Sequence, residues 1–123
     1  MTVPGRRPQR LGEQIREEIS ALLVSGLKDP RIGFATITGV RLTADLRQAW
    51  VYVSVMGSAE EQRQSLQGFR AATSYIRREL AHRLHIRRIP ELAFELDTSA
   101  EYGAHIEELL REAKRKNESP DED

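Results

Sequence analysis

A chain of 123 residues, 39% hydrophobic and 31% charged, with 19 Lys+Arg balanced by 19 Asp+Glu, is enough for one modest core and too short for a separate catalytic domain. Its lack of cysteine excludes a disulfide framework, thiolate zinc sites and cysteine catalysis. No apolar run approaches the roughly 20 residues that cross a bilayer, and no signal-peptide pattern opens the chain, so the expected location is cytoplasmic, with no membrane partner.

Zero net charge hides a polarity. Residues 1–90 hold 15 Lys+Arg and 8 Asp+Glu, a net of +7, whereas residues 91–123 hold 4 and 11, a net of −7. A basic body points to a polyanionic partner, because Lys and Arg gain by displacing counterions from phosphates. The bland alternative is an ordinary charged surface.

The first stretch, MTVPGRRPQ, has two prolines, a glycine and one bulky aliphatic residue, too little to offset the entropy of ordering. Residues 1–9 therefore read as a flexible basic arm. From Arg10, Leu11, Ile15, Ile19, Leu22, Leu23 and Leu27 recur at helical spacing, and Pro30 stops that helix soon after Lys28. A first strand is expected in FATITGVRLT, whose apolar parity slips by one at Gly39, so a bulge there would keep one core face. TADLR joins it as a short hairpin to WVYVSVM, where Ala49, Val51, Val53 and Val55 face the core and Trp50 and Tyr52 point away.

A helical stretch follows from about Glu60 to Leu84, its buried stripe marked by Leu66, Phe69, Ala72, Ile76, Leu80 and Leu84. LAFEL then alternates as a third strand. TSAE reads as a capping box, with Thr98 as N-cap and Glu101 reaching back, opening a last helix on Ile106, Leu109 and Leu110. Residues 117–123, NESPDED, read as a disordered acidic tail. The domain spans residues 10–116.

The densest charge lies in RRELAHRLHIRR, residues 77–88, with five arginines and two histidines around one glutamate. On a helix, Arg77 and Arg83 flank the buried stripe and Arg78 points away; Arg87 and Arg88 follow before the third strand. Solvated helix faces usually mix signs, and this one barely does. His82 and His85 stand three apart, but no carboxylate or cysteine is placed to complete a metal shell, so no metal site is expected. Asp97, Ser99 and His105 have the residue types of a hydrolase triad, yet capping explains Thr98, Ser99 and Glu101, and no enzymatic activity, cofactor or small-molecule substrate is expected. Trp50 and Tyr52 could stack on bases or meet a protein.

Helix, strand, strand, long bent helix, strand, helix is the order of a small α+β domain. The residues are more specific: DPRIG at 29–33, ITGVRLTADLRQAWVYVSV at 37–55, IRREL at 76–80 and IPELAFELDTSAEYG at 89–103 resemble the recurring blocks of the ribosome-binding factor A family over residues 8–112. That resemblance implies a type II KH-like domain, a three-stranded sheet covered on one face by helices, with an extra C-terminal helix. It also implies a helix-kink-helix in place of the GxxG loop that grips nucleic acid in ordinary KH domains. The matching positions are Ala72, Thr73 and Ser74, and the family's kink glycine is Ser74 in this chain; a hydroxyl bonding back to an earlier carbonyl can still bend the axis.

The implied function is a monomeric maturation factor that binds 16S rRNA in the free 30S subunit, assists late rRNA processing and matters at low temperature. Arg77, Arg78, Arg83, Arg87 and Arg88 would contact rRNA phosphates, with Arg6, Arg7 and Arg10 adding a mobile second contact. A protein-interaction module reading an acidic partner through the arginine patch is the alternative, and competition by rRNA separates the two.

Overall fold

The structure, a computed structural model, describes the backbone of residues 6–118 and the side chains within residues 7–99 and 107–115. Residues 1–5 of the expected arm and 119–123 of the expected tail lie outside the described residues. In chain order the elements are α1 (Arg6–Ser25), β1 (Ala35–Leu42), β2 (Gln48–Val55), α2 (Ala59–Ala71), α3 (Thr73–Arg83), β3 (Glu91–Leu96) and α4 (Ser99–Glu118). They make a mixed α+β fold around a three-stranded sheet of order β1-β2-β3, β1 and β2 antiparallel, β2 and β3 parallel.

Helix α1 begins at Arg6, four residues before the expected start, so Arg6, Arg7 and Arg10 sit on a helix and not in an arm. Pro8 permits this because it falls in the first turn, where the missing N–H has no intrahelical acceptor to lose. The helix also ends early. Gly26, at φ +146°, breaks it, and the Gly26 and Leu27 amides donate to Leu22 O at 3.0 and 2.9 Å, so the stop is a glycine cap and not Pro30. Leu11, Ile15, Ile19 and Leu22 are buried. Gly12 lets this face lie directly on β1, since a Cβ there would stand 2.8 Å from Val40 O.

The sheet buries one face. Ile37, Ala49, Val51, Val53, Val55 and Phe94 are inside with Phe69, Ile76 and Leu80 from the helices. Parity across β1 is repaired by a bulge, although the extra residue is Thr38 and not Gly39: Ile37 pairs with Val53 and Gly39 with Tyr52. The Thr38 hydroxyl donates to Tyr52 O at 3.2 Å and Asp97 Oδ2 at 2.7 Å, which gives the unpaired position partners of its own.

Helix α2 opens on a capping box that the sequence carries as SAEE: Ser58 Oγ accepts from the Glu61 amide at 3.1 Å and Glu61 Oε1 from the Ser58 amide at 2.8 Å. Its Phe69 ring stacks on Phe94 with centroids 5.3 Å apart. The long helical stretch is interrupted at Ala72, whose φ −90° and ψ 4° leave the helical region. Thr73 Oγ1 donates to Arg70 O at 2.9 Å and Phe69 O at 3.3 Å, the back-bonding that bends a helix without glycine.

At the start of α4, Asp97 Oδ1 accepts from the Ser99 amide at 2.9 Å and the Ser99 hydroxyl at 2.6 Å. The expected partner Glu101 has its side chain outside the described residues. Leu109 and Leu110, expected on a packed stripe, are exposed instead, as are the other described side chains of residues 107–115. Among the described residues, no helix is long and apolar enough to cross a membrane.

Candidate nucleic-acid interface

Parallel pairing of β2 with β3 puts the residues that precede the two strands side by side. The Glu91 amide donates to Arg47 O at 2.8 Å, so the hairpin loop before β2 and the loop before β3 meet. The first turn of α1 closes the third side. The result is a cleft of about 660 Å³ lined by Arg7 and Leu11 of α1, Asp45, Leu46 and Arg47 of the hairpin, and the segment His85 to Arg88.

Each wall is held by its own local chemistry. In the hairpin, Asp45 Oδ1 accepts from the Thr43 hydroxyl at 2.6 Å and the Arg47 amide at 3.1 Å, an Asx-type closure. Leu46 takes a left-handed φ of 63° that costs a branched residue energy, and its side chain packs against the core, leaving Arg47 to line the cleft. In the segment before β3, Ile86 and Ile89 pack against the core and Pro90 is buried, while His85, Arg87 and Arg88 remain exposed.

Four arginines and one aspartate therefore line the same cleft. The Thr43 hydroxyl and, next, the Arg47 amide hold the Asp45 carboxyl below the usual carboxylate range, so it stays charged and occupied by its own loop. Arg10 lines an adjoining hollow that shares Arg7, Leu11, Leu46 and Ile86 with the cleft. Such a concave cluster of planar, forked donors suits phosphate oxygens.

Arg7, Arg10, Arg87 and Arg88, named from sequence, are thus brought together. Arg77 is diverted, its Nε donating to Pro90 O at 3.0 Å and Nη2 to Ile89 O at 2.9 Å, so it braces the loop that carries Arg87 and Arg88. Arg83 ties α3 to α1, with Glu18 at 3.3 Å and Glu79 at 3.7 Å. Arg78 is exposed on α3 but does not line the cleft, and the side chain of Arg6 lies outside the described residues. His85, singled out from sequence only as one of an exposed or RNA-facing histidine pair, also lines the cleft, whereas Arg47 is not singled out from sequence. The Thr-x-Asp turn signal was present at 43–45, but only the parallel β2-β3 pairing shows where its arginine goes.

A second hollow, of about 470 Å³, lies at the helix break, lined by Gly26, Leu27, Lys28, Asp29, Arg31, Ala71, Ala72 and Tyr75. Its cations are partly spent: Arg31 Nη2 donates to Asp29 Oδ2 at 2.7 Å, which with the Arg31 amide lowers the Asp29 pKa to about 2. Ser65, buried on α2, accepts from the Gly33 amide at 3.0 Å and donates to Arg31 O at 3.1 Å, so the DPRIG stretch is a loop clamped to α2. Among the described residues, no group of His, Cys, Asp or Glu is arranged to hold a metal.

The family model described as "Ribosome-binding factor A" matches residues 7–110. Ribosome-binding factor A from Citrifermentans bemidjiense is 53% identical over 107 residues, covering 87% of this chain and 90% of that protein. The protein of that name from Brevibacillus brevis is 47% identical over 116 residues, covering 94% and 96%. Among solved structures, a Thermotoga maritima ribosome-binding factor A is 31% identical with a TM-score of 0.67, over 77% of this chain and 91% of that one. A Thermus thermophilus ribosome-binding factor A fitted into the cryo-EM map of a 30S complex is 28% identical with a TM-score of 0.59, over 71% and 91%.

Proposed function

The chain belongs to the ribosome-binding factor A family, and we propose that it binds the small ribosomal subunit by seating rRNA phosphates in the cleft between α1, the β1–β2 hairpin and the loop before β3. The observation that carries this reading is that Arg7, Arg47, Arg87 and Arg88, from three separate segments, line one cleft whose lining holds a single carboxylate, Asp45. Phosphate contacts of this kind set position and affinity rather than base sequence. The 30S complex of the Thermus thermophilus relative supports the choice of partner.

On this reading the protein acts as a monomer on free 30S subunits, late in their maturation, assisting 16S rRNA processing, with its importance greatest at low temperature. It works in the cytoplasm and catalyses no reaction. The KH-like view of the fold belongs to the same proposal, with the break at Ala72 and the Thr73 back-bonds standing where a GxxG loop would be. The hollow at that break offers a second, weaker point of contact.

The test is the triple variant Arg47→Glu, Arg87→Glu and Arg88→Glu, whose side chains are exposed and whose removal leaves the core untouched. Affinity for small subunits should fall by about tenfold or more, and the slope of log K against log salt should flatten by about 0.9 for each phosphate no longer neutralised. A folded variant that binds with unchanged affinity and salt slope refutes the cleft.

A further inference from the structure

The face of the sheet turned away from the helices is not used by the cleft, and it is neither bare nor polar. Trp50 and Tyr52 lie on it by alternation, with Val51 and Val53 buried beneath. Phe34 and Met56 extend the same face: the Met56 amide donates to Phe34 O at 3.0 Å, one step beyond the Ala35↔Val55 pair, and alternation places both side chains with Trp50 and Tyr52. They are 82% and 77% exposed. Trp50, Tyr52 and, beyond Ser54, Met56 thus form an aromatic and apolar strip about 20 Å long at about 3.3 Å per residue.

Its charge is opposite to that of the cleft. Along the β3 side stand Glu91 and Glu95, outward-facing by the same alternation, and Asp97 just beyond the strand. Glu91 and Glu95 are ion-paired at long range, with Arg77 at 3.9 Å and Arg70 at 3.4 Å, two guanidinium groups whose shorter hydrogen bonds go to the carbonyls of Ile89, Pro90 and Phe94. Asp97 is kept ionised by the Ser99 and Thr38 hydroxyls. The cation on this face, Arg41, stacks over the Trp50 ring at 5.0 Å. A platform for nucleic-acid bases combines aromatic rings with free positive charge; here the rings are bordered by carboxylates, which repel phosphate.

We propose that this open face is a protein-docking surface for a basic segment with apolar anchors, as a protein component of the small subunit would present, while the cleft holds rRNA. Phe34 and Met56 are the anchors' receiving end, and Glu91, Glu95 and Asp97 select for Lys and Arg. The inference rests on the proposed function only for the choice of particle.

The full-length chain carrying Phe34→Ser and Met56→Ser should melt like wild type, because both side chains are exposed. Its affinity for intact small subunits should fall by about tenfold or more, while its affinity for protein-free 16S rRNA stays at the wild-type value. Unchanged subunit affinity, or an equal fall for both probes, overturns the proposal, as does a wild-type dimer that the double variant abolishes. A benzoylphenylalanine at position 34 gives an independent measurement: on intact subunits it should crosslink to a subunit protein, and a crosslink to rRNA or none at all overturns the proposal. The cleft variant tests the other reading separately, since normal binding of both probes by that variant refutes the rRNA cleft and leaves the crosslink to decide the open face.

Discussion

Arg77 shows how a residue of the right type in the right stretch can serve function at one remove. Its guanidinium donates to the carbonyls of Ile89 and Pro90, both in a loop that would otherwise hide them from water without a strand partner. Arg77→Met keeps most of the stem and removes the donors. Stability should fall by about 1–3 kcal/mol through the two orphaned carbonyls, read by urea denaturation, and subunit binding should fall as well, because Arg87 and Arg88 ride on that loop. Arg77→Lys should not rescue, since one ammonium cannot reproduce a planar fork aimed at two adjacent carbonyls. Wild-type stability in Arg77→Met would return Arg77 to the group of free surface cations.

Elements are joined here by single polar residues as much as by apolar contact. Asp97 is the hinge between the sheet and α4: its amide donates to Val53 O at 2.7 Å, and its carboxylate accepts from Thr38, the Ser99 amide and the Ser99 hydroxyl. The Ser99 and Thr38 hydroxyls, in that order, lower its pKa. A depressed folded pKa contributes stability that is present above the unfolded value of about 3.9 and is lost as pH falls through the folded one. Protection of the Ser99 amide from exchange, and the helicity of α4, should therefore hold steady above about pH 4 and decline below it. Asp97→Asn should lower both at neutral pH and remove the pH response. An α4 whose helicity ignores both pH and this substitution would show that the helix starts without help from Asp97.

The molecule as a whole has one core and two unlike surfaces. Ile15 and Ile19 of α1, Val51 and Val53 of β2, Phe69 of α2, Ile76 and Leu80 of α3 and Phe94 of β3 belong to a single buried cluster, so no element can lose its place alone. Val53, fully buried between its neighbours, is the test. Val53→Asp puts an unpaired charge into a small core and should cost more than about 3 kcal/mol, leaving no cooperative melting transition in calorimetry. A soluble variant with a sharp transition near that of wild type would mean that β2 turns its other face inward. Around this core the basic cleft lies at one end of the sheet and the apolar, acid-bordered strip covers its open face, so a partner of mixed chemistry can be held at two places at once.

Periodicity alone determined which residues of α1 and of the sheet are inside. The helical recurrence from Leu11 to Leu22, the valine face of β2 and the Leu-Phe-Leu alternation of β3 each follow from the geometry of one element, and each packs into the core as read. The helix break at Ala72 was expected only through the family resemblance at residues 72–74, and the structure adds that the Thr73 hydroxyl bonds back to Arg70 O and Phe69 O there. Element ends were less legible: α1 starts early since Pro8 is harmless in a first turn, and stops early since Gly26 acts before Pro30 can. What only the tertiary structure decided is the company each charge keeps. Arg77 and Arg83 look like free cations in sequence and are committed to carbonyls and carboxylates, whereas Arg47, alone in a hairpin loop, joins Arg87 and Arg88 from a distant part of the chain. That meeting depends on a parallel strand pair, a non-local pairing whose register no pattern within either strand encodes.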